Sequence, residues 1–224
     1  MKRSVFVCLV LASLFSGSAL AGEWEFTGAM NNFFPSDDVW EGYAIGGEVR
    51  GAYWLTPQWG VGLAGGLTNW DADDNTEVIS RNEELGTQVS LTSGGDVTYL
   101  PFGISAMARF GTTAKNRLNG YAEVGLRYMF SDSDMQVKRT ATFASDDPIV
   151  ECHEIDCDDG IVARIGGGVE WALNDADHPV KLVLVGGYQF DLDKGDATED
   201  QWDIDEELSL EAFYIDLGLV VPIH

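Results

Sequence analysis

The chain has 224 residues, with 37 acidic and 13 basic side chains and a net charge of −24 at pH 7. Nucleic-acid phosphates are bound by clustered Lys and Arg, so this balance excludes a general nucleic-acid binder. The length suits one domain, and an acidic surface favours solvation, cations or basic partners.

The first segment has the pattern of a secretory signal peptide. Lys2 and Arg3 precede an apolar run at residues 5–15, which is too short to span a bilayer, and an Ala-x-Ala sequence ends at Ala21. We therefore expect cleavage after Ala21, with residues 1–21 as leader and 22–224 as one domain; an uncleaved anchor is the alternative. Removing Lys2 and Arg3 from the 13 bases leaves 11 against 37 acids, a net charge of −26.

Eight later segments alternate apolar and polar side chains, which is the period of a β-strand. They span residues 23–33, 43–55, 59–70, 97–110, 117–130, 160–173, 179–191 and 208–224. No segment offers the roughly twenty apolar residues of a spanning helix, and strands cross a membrane only as a closed barrel. The pattern therefore predicts an all-β fold, an eight-stranded antiparallel up-and-down transmembrane β-barrel.

The connections between these segments alternate between short and long. The short turns are residues 56–58, 111–116 and 174–178, and the long, mostly acid-rich loops are residues 35–42, 71–96, 131–159 and 192–207. Short turns are typical of the periplasmic side, so both termini are expected there and the long loops outside. Alternation within the loops, at residues 87–92 and 135–143, predicts hairpins that extend the barrel and leaves open a wall of ten strands.

Charged residues occupy the strand faces opposite to the apolar side chains. They are Glu25, Glu48, Glu123, Glu170 and Asp216, with Arg50, Arg109, Arg127, Arg164 and Lys181. Taking these five acids and five bases from the 37 acids and 11 bases that follow the leader leaves 32 against 6. A balanced set is improbable in so acidic a chain, so we infer a lumen ion-pair network in a barrel just wide enough for side chains to fill.

A water-soluble barrel with these charges on its surface is the alternative. The charge balance argues against it, and so do aromatic residues near the strand ends, which are typical of membrane interfaces. These are Trp24, Phe33, Tyr53, Trp54, Trp59, Trp70, Phe110, Tyr128, Phe130, Trp171 and Phe190.

Two cysteines, Cys152 and Cys157, follow the leader and lie in a polar loop. An exported protein meets an oxidising compartment, so a disulfide between them is the expectation. A metal pair is the alternative, although the spacing matches no standard zinc pattern.

Enzymatic and metal chemistry have weak support in the sequence. This topology puts His178 and His224 in the periplasm, and His153, beside the cysteines, lacks a defined serine partner. No Gly-x-Ser-x-Gly elbow is present, so we expect no enzyme and no cofactor. Acidic segments at residues 71–77 and 191–196 do not match the EF-hand loop, and loose association with divalent cations is the expectation there rather than a metal site.

Two strand sequences, GYAIGGEVR at residues 42–50 and GYAEVGLRY at residues 120–128, carry a resemblance to known proteins. The chain resembles the small outer-membrane barrels: the OmpA transmembrane domain, OmpX, OmpW and opacity-like proteins. The resemblance implies an outer-membrane location and contact with lipid and lipopolysaccharide. Such barrels usually end in an aromatic residue that looks like an assembly signal, whereas this chain ends in His224, which puts its recognition by the assembly machinery in question.

Together these features predict a monomeric, plugged barrel with a structural or surface-interaction role through its acidic loops. A narrow porin-like channel for small solutes is the second hypothesis, and a lipid-modifying enzyme is the third.

Overall fold

The computed structural model describes residues 22–36, 40, 42–82, 87–111, 117–142, 148–175, 178–199 and 204–223. The predicted leader at residues 1–21 and the C-terminal His224 lie outside the described residues, so cleavage after Ala21 stays a prediction. In the described part of the chain, no helix is long and apolar enough to cross a membrane.

The described residues form thirteen strands. They are β1 (Glu23–Pro35), β2 (Ala44–Trp54), β3 (Trp59–Asn82), β4 (Thr87–Phe110), β5 (Leu118–Ser133), β6 (Gln136–Thr142), β7 (Ile149–Glu154), β8 (Asp156–Cys157), β9 (Gly160–Ala172), β10 (Lys181–Asp193), β11 (Gly195–Glu199), β12 (Ile204–Leu208) and β13 (Ala212–Ile223).

Eight of these strands close into a barrel, which confirms the predicted fold. Their order is β3-β2-β1-β13-β10-β9-β5-β4, and a ladder between β3 and β4 completes the circle. The first and last strands pair antiparallel from Trp24↔Ile223 to Pro35↔Ala212. Closure gives the backbone groups of each barrel strand partners on both sides, as a membrane-spanning sheet requires. The wall therefore has eight strands rather than ten.

The barrel has a turn end, where the short turns lie, and a loop end, where the strands continue past the wall. The ladder of β3 with β4 runs on from Asp71↔Asp96 to Asn82↔Thr87, β6 pairs with the outer part of β4, and β7 pairs with β6. Residues 75–82 and 87–94 with β6 and β7 form the projecting sheet. The predicted hairpins in the long loops are present because the two-residue alternation continues beyond the barrel.

The two faces of the wall have inverted polarity compared with a water-soluble barrel. Met30, Val49, Ile104 and Ile165 point outward with 55% to 62% of their surface exposed, while charged side chains fill the interior. Burying apolar surface away from water drives folding, so an outer face of this kind requires an apolar solvent. The alternative of a soluble barrel with surface charges is excluded by this arrangement.

Aromatic side chains lie at both ends of the outer face, as in interfacial girdles. Trp24 and Tyr53 pack at 4.9 Å between ring centroids at the turn end, and Tyr188 and Phe213 at 4.8 Å at the loop end. Three aromatics predicted for this belt lie instead inside the barrel, where they are at most 3% exposed: Phe33, Trp54 and Trp70. The strand alternation explains the correction, since each has the phase of the inward-facing positions on its strand.

Candidate functional site

The lumen contains all ten charged residues that the sequence analysis selected. Nine are buried, and the side chain of Lys181 is 13% exposed. Each has the inward phase of its strand, because successive side chains alternate across a β-sheet. The structure divides the ten between two separate clusters.

The turn-end cluster contains Glu25, Arg109, Glu170 and Lys181. Arg109 bonds both carboxylates: its Nη2 lies 2.8 Å from Glu170 Oε1 and also contacts Glu25, while its Nε bonds the other oxygen of Glu170. Lys181 Nζ lies 2.7 Å from Glu25 Oε1. Trp54 donates its indole N–H to Glu25 at 2.7 Å, and the Arg109 guanidinium lies 3.5 Å from the centroid of the same ring. Every charge in this cluster therefore has an opposite charge within contact distance, and Glu25 and Arg109 also contact Trp54.

The central cluster lies nearer the loop end and has six members: Glu48, Arg50, Glu123, Arg127, Arg164 and Asp216.

Glu48 is the shared acceptor of the central cluster. Its carboxylate lies 2.8 Å from Arg50, 3.3 Å from Arg127 and 3.3 Å from Arg164. Arg164 also pairs with Asp216 at 2.8 Å, and Arg50 pairs with Glu123. Three arginines therefore depend on one buried carboxylate.

Neutral side chains complete this cluster. Asn31 donates to Asp216 at 2.7 Å, Arg50 donates to the Tyr121 hydroxyl at 2.7 Å, and the Tyr214 hydroxyl donates to Glu123 at 3.3 Å. These bonds occupy lone pairs that the ion pairs leave over, which buried charges require.

Each cluster is electroneutral by itself. The turn-end cluster has two acids and two bases, and the central cluster has three of each. A cavity of about 20 Å³, bordered by members of both clusters, lies between them. That volume is close to the space for a single water. The charges therefore close the lumen at two levels.

An aromatic layer fills the lumen between the central cluster and the loop end. Arg164 lies 3.9 Å from the Tyr214 ring centroid, and Phe33 links Tyr214 at 6.4 Å to Trp70 at 5.6 Å. Trp40 stacks edge-on against Trp70 at 5.3 Å. The sequence analysis missed this layer. The inward phase of Phe33 and Trp70 was a usable signal, whereas Trp40 lies outside the named strands and had none.

The two cysteines are free thiols, so the predicted Cys152–Cys157 disulfide is not formed. Five positions separate them, which places their side chains on opposite faces of an extended chain. Cys152 is exposed, while Cys157 Sγ lies 3.3 Å from Ser133 Oγ and 3.6 Å from Met135 Sδ. Burial raises the pKa of the Cys157 thiol above its ordinary value. Ile155, one of the four residues between them, is 3% exposed and packs this segment into the core.

The acidic segments selected as cation-binding candidates belong to strands. Residues 71–77 lie in β3, and Asp191 and Asp193 end β10. In the part of the chain that is described, no group of three or more His, Cys, Asp or Glu side chains could hold a metal ion. Loose cation association at these segments stays a prediction.

Comparisons with known proteins show likeness at the level of fold. No protein family matches the sequence, and no curated protein matches it. The outer membrane protein OprG from Pseudomonas aeruginosa has a TM-score of 0.59 at 13% identity, over 91% of this chain and 97% of OprG. The barrels AlkL (15% identity, TM-score 0.46, 93% of each chain) and Ail from Yersinia pestis (12%, 0.40, 90% of this chain and 99% of Ail) are less similar. The chain has the fold of a small outer-membrane β-barrel.

Proposed function

We propose that this chain is an outer-membrane β-barrel protein. Its role is structural or is to bind partners through the surface that lies outside the membrane. The observation that carries the proposal is the closed lumen. Two neutral ion-pair clusters and an aromatic layer fill it, and the cavity between the clusters measures about 20 Å³. In a barrel of eight strands the interior is just wide enough for side chains, so a water-filled path is disfavoured.

The projecting sheet is the part of the molecule available to partners. Its strands extend the wall past Trp70 and Val97, and Cys152, Ile149 and Val150 on β7 are exposed. The projecting sheet itself carries three acids and three bases, whereas acids outnumber bases 32 to 6 outside the leader and the ion-pair clusters, so basic partners or divalent cations are favoured at the acid-rich loops beside the sheet. The apolar outer face supports contact with outer-membrane lipid and lipopolysaccharide, with the barrel as a monomer.

A non-enzymatic role is part of the proposal. His153 lies on β7 of the projecting sheet, whereas His178 Nδ1 lies 3.7 Å from Glu23 Oε1 at the turn end. These two histidines are at opposite ends of the barrel and so do not form a common site for acid–base catalysis.

Two measurements test the proposal. The folded protein in planar bilayers should show no stepwise conductance, and steady single-channel currents would favour the narrow-channel hypothesis instead. On intact cells, a membrane-impermeant maleimide should label the exposed Cys152 and give no rapid labelling in the Cys152→Ser variant. Labelling of Cys152 only after the outer membrane is permeabilised would contradict the surface display of the projecting sheet.

A further inference from the structure

The segment between β12 and β13 crosses the mouth of the lumen at the loop end. Leu208 and Leu210 are each 1% exposed and Ser209 is 7% exposed, although Ser209, Leu210 and Glu211 belong to no strand. The sequence alternation predicted a strand from residue 208, but β13 begins at Ala212. We name Leu208–Glu211 the strap.

The ends of the strap are tied by backbone pairing, since Leu208 pairs with Gly195 and the Glu211 carbonyl accepts from the Ser36 N–H at 2.9 Å. Its middle, Ser209 and Leu210, is held by side chains. Asp191 accepts hydrogen bonds from Ser209 Oγ at 2.8 Å and from the Leu210 N–H at 3.1 Å. Gln189 donates to the Leu210 carbonyl at 2.8 Å, and Trp40 donates its indole N–H to the Ser209 carbonyl at 2.6 Å. These four bonds are not part of the barrel ladders, which begin at Ala212, so they can break while the wall stays paired.

The strap covers the aromatic layer. Its partner Trp40 stacks on Trp70, and Trp70 meets Tyr99 at 6.5 Å between ring centroids. Among the described residues, the Trp70 indole nitrogen and the Tyr99 hydroxyl are buried without a hydrogen-bond partner. A buried polar group without a partner costs free energy, which is recovered when water reaches it. Opening of the strap therefore hydrates two groups that closure leaves unsatisfied.

We propose that Leu208–Glu211 is a lid that opens and closes over the aromatic layer while the barrel wall and the ion-pair clusters stay intact. Asp191 holds the lid closed, because its one carboxylate accepts hydrogen bonds from two consecutive residues of the lid, Ser209 and Leu210. The lid is a device of the lumen mouth, goes beyond the surface role proposed above and does not depend on it.

The chain offers a matched control for Asp191. Asp159 is another carboxylate at the loop end, and it accepts from the Ser131 N–H at 2.9 Å and from the Tyr128 hydroxyl at 2.9 Å. Like Asp191 it accepts from a backbone N–H and from hydroxyl groups, including Ser131 Oγ at 3.3 Å, but its partners belong to β5 and not to the strap.

The test is hydrogen exchange of tryptophan indole N–H groups by NMR on the mature protein in detergent micelles. Asp191→Ala should speed exchange of the Trp70 indole at least tenfold, with assignment by Trp70→Phe. The Trp54 indole, which is bonded to Glu25 in the turn-end cluster, should keep its rate in the same spectrum. Asp159→Ala should leave both rates unchanged.

Each other outcome overturns the lid. An unchanged Trp70 rate in a folded Asp191→Ala barrel would show that the strap is not a barrier to solvent. Equal acceleration of Trp54 would mean a loosened barrel, and equal effects of Asp159→Ala would implicate the whole mouth. Should Asp191→Ala not fold, Gln189→Leu removes the donor to Leu210 and should accelerate Trp70 in the same way; a folded Gln189→Leu barrel without acceleration also overturns the lid.

Discussion

The two halves of the lumen are closed by different means. In the turn half, charged side chains from the barrel strands pair with one another, as Arg109 does with Glu170 at 2.8 Å. At the loop end, a strap outside the ladders is held by single side chains such as Gln189. Removing one member of a buried ion pair strands a charge in a low dielectric, whereas losing one neutral hydrogen bond costs far less. The comparison indicates that the turn half of the lumen is rigid, whereas the hydrogen bonds of the strap at the loop end can break separately.

The largest expected effect comes from the shared carboxylate of the central cluster. Glu48→Leu leaves three arginines with two acids and should lower the free energy of unfolding by about 3–5 kcal/mol. Urea unfolding in lipid vesicles, followed by the heat-dependent gel shift, measures it. The exposed pair of Arg117 and Asp175 is the control, and Arg117→Leu should cost less than about 1 kcal/mol. Equal losses for both variants would contradict a buried network.

The neutrality of each cluster can be tested by removing opposite charges together. Arg127 bonds Glu48 at 3.3 Å and the Ile104 carbonyl at 3.0 Å. Because Glu48 keeps Arg50 and Arg164 as partners, Arg127→Leu alone should cost about 1–3 kcal/mol, the cost of lost buried hydrogen bonds, and less than Glu48→Leu. The double variant restores charge balance and should cost less than the sum of the two single losses, by about 0.5–3 kcal/mol. Strict additivity in the same unfolding assay would show that the charges act independently.

Opening of the lid should depend on pH through the ionisation of Asp191. Burial raises the pKa of the Asp191 carboxyl, and the negative charge of Glu211 raises it further. The hydrogen bonds from Ser209 and Leu210 and the positive charge of Lys194 lower this pKa in part. Tyr99 lies within electrostatic reach of the same carboxyl. A pKa raised in the closed state means that protonation favours closure, so closure is strongest below the ordinary pKa and weakens as pH rises through the raised value.

Indole exchange measures this response. After correction for its intrinsic pH dependence, exchange of the Trp70 indole should slow severalfold as pH falls toward the raised pKa of Asp191. Asp191→Asn should remove most of the change, because the amide does not titrate. A pH dependence that survives this substitution would assign the response to another group.

The smallest expected effect lies where the barrel wall passes into the projecting sheet. Asp71 and Asp96 are cross-strand partners, and the hydrogen bond with Asp71 raises the pKa of Asp96. The stability that this pair contributes is present at low pH and is lost as pH rises through the raised pKa. Asp96→Asn should stabilise the protein by less than about 0.5 kcal/mol at pH 7 and have less effect at pH 3. If Asp96→Asn changed the free energy of unfolding by the same amount at pH 7 and pH 3, this prediction would be contradicted.

Much of the barrel and its charged lining could be predicted because the signals are local. Alternation along a strand places Glu48 and Arg50 on the inner face and Val49 on the outer face, whatever the rest of the chain does. The same rule places Trp54 and Trp70 inside, against the general preference of aromatics for membrane interfaces. The disulfide prediction was wrong for a related reason. Spacing and compartment favour a disulfide, but the strand phase puts the side chains of Cys152 and Cys157 on opposite faces.

By itself, the sequence determined a membrane-spanning barrel of eight or ten strands, the side of the wall on which each charge lies and the balance of the inward charges. These follow from a two-residue period and from composition. Only the tertiary structure decided that Glu48 serves three arginines, that the network divides into two neutral clusters, and that Leu208–Glu211 turns across the mouth. Those features depend on the stagger of strands far apart in sequence and on barrel closure, which no local pattern encodes.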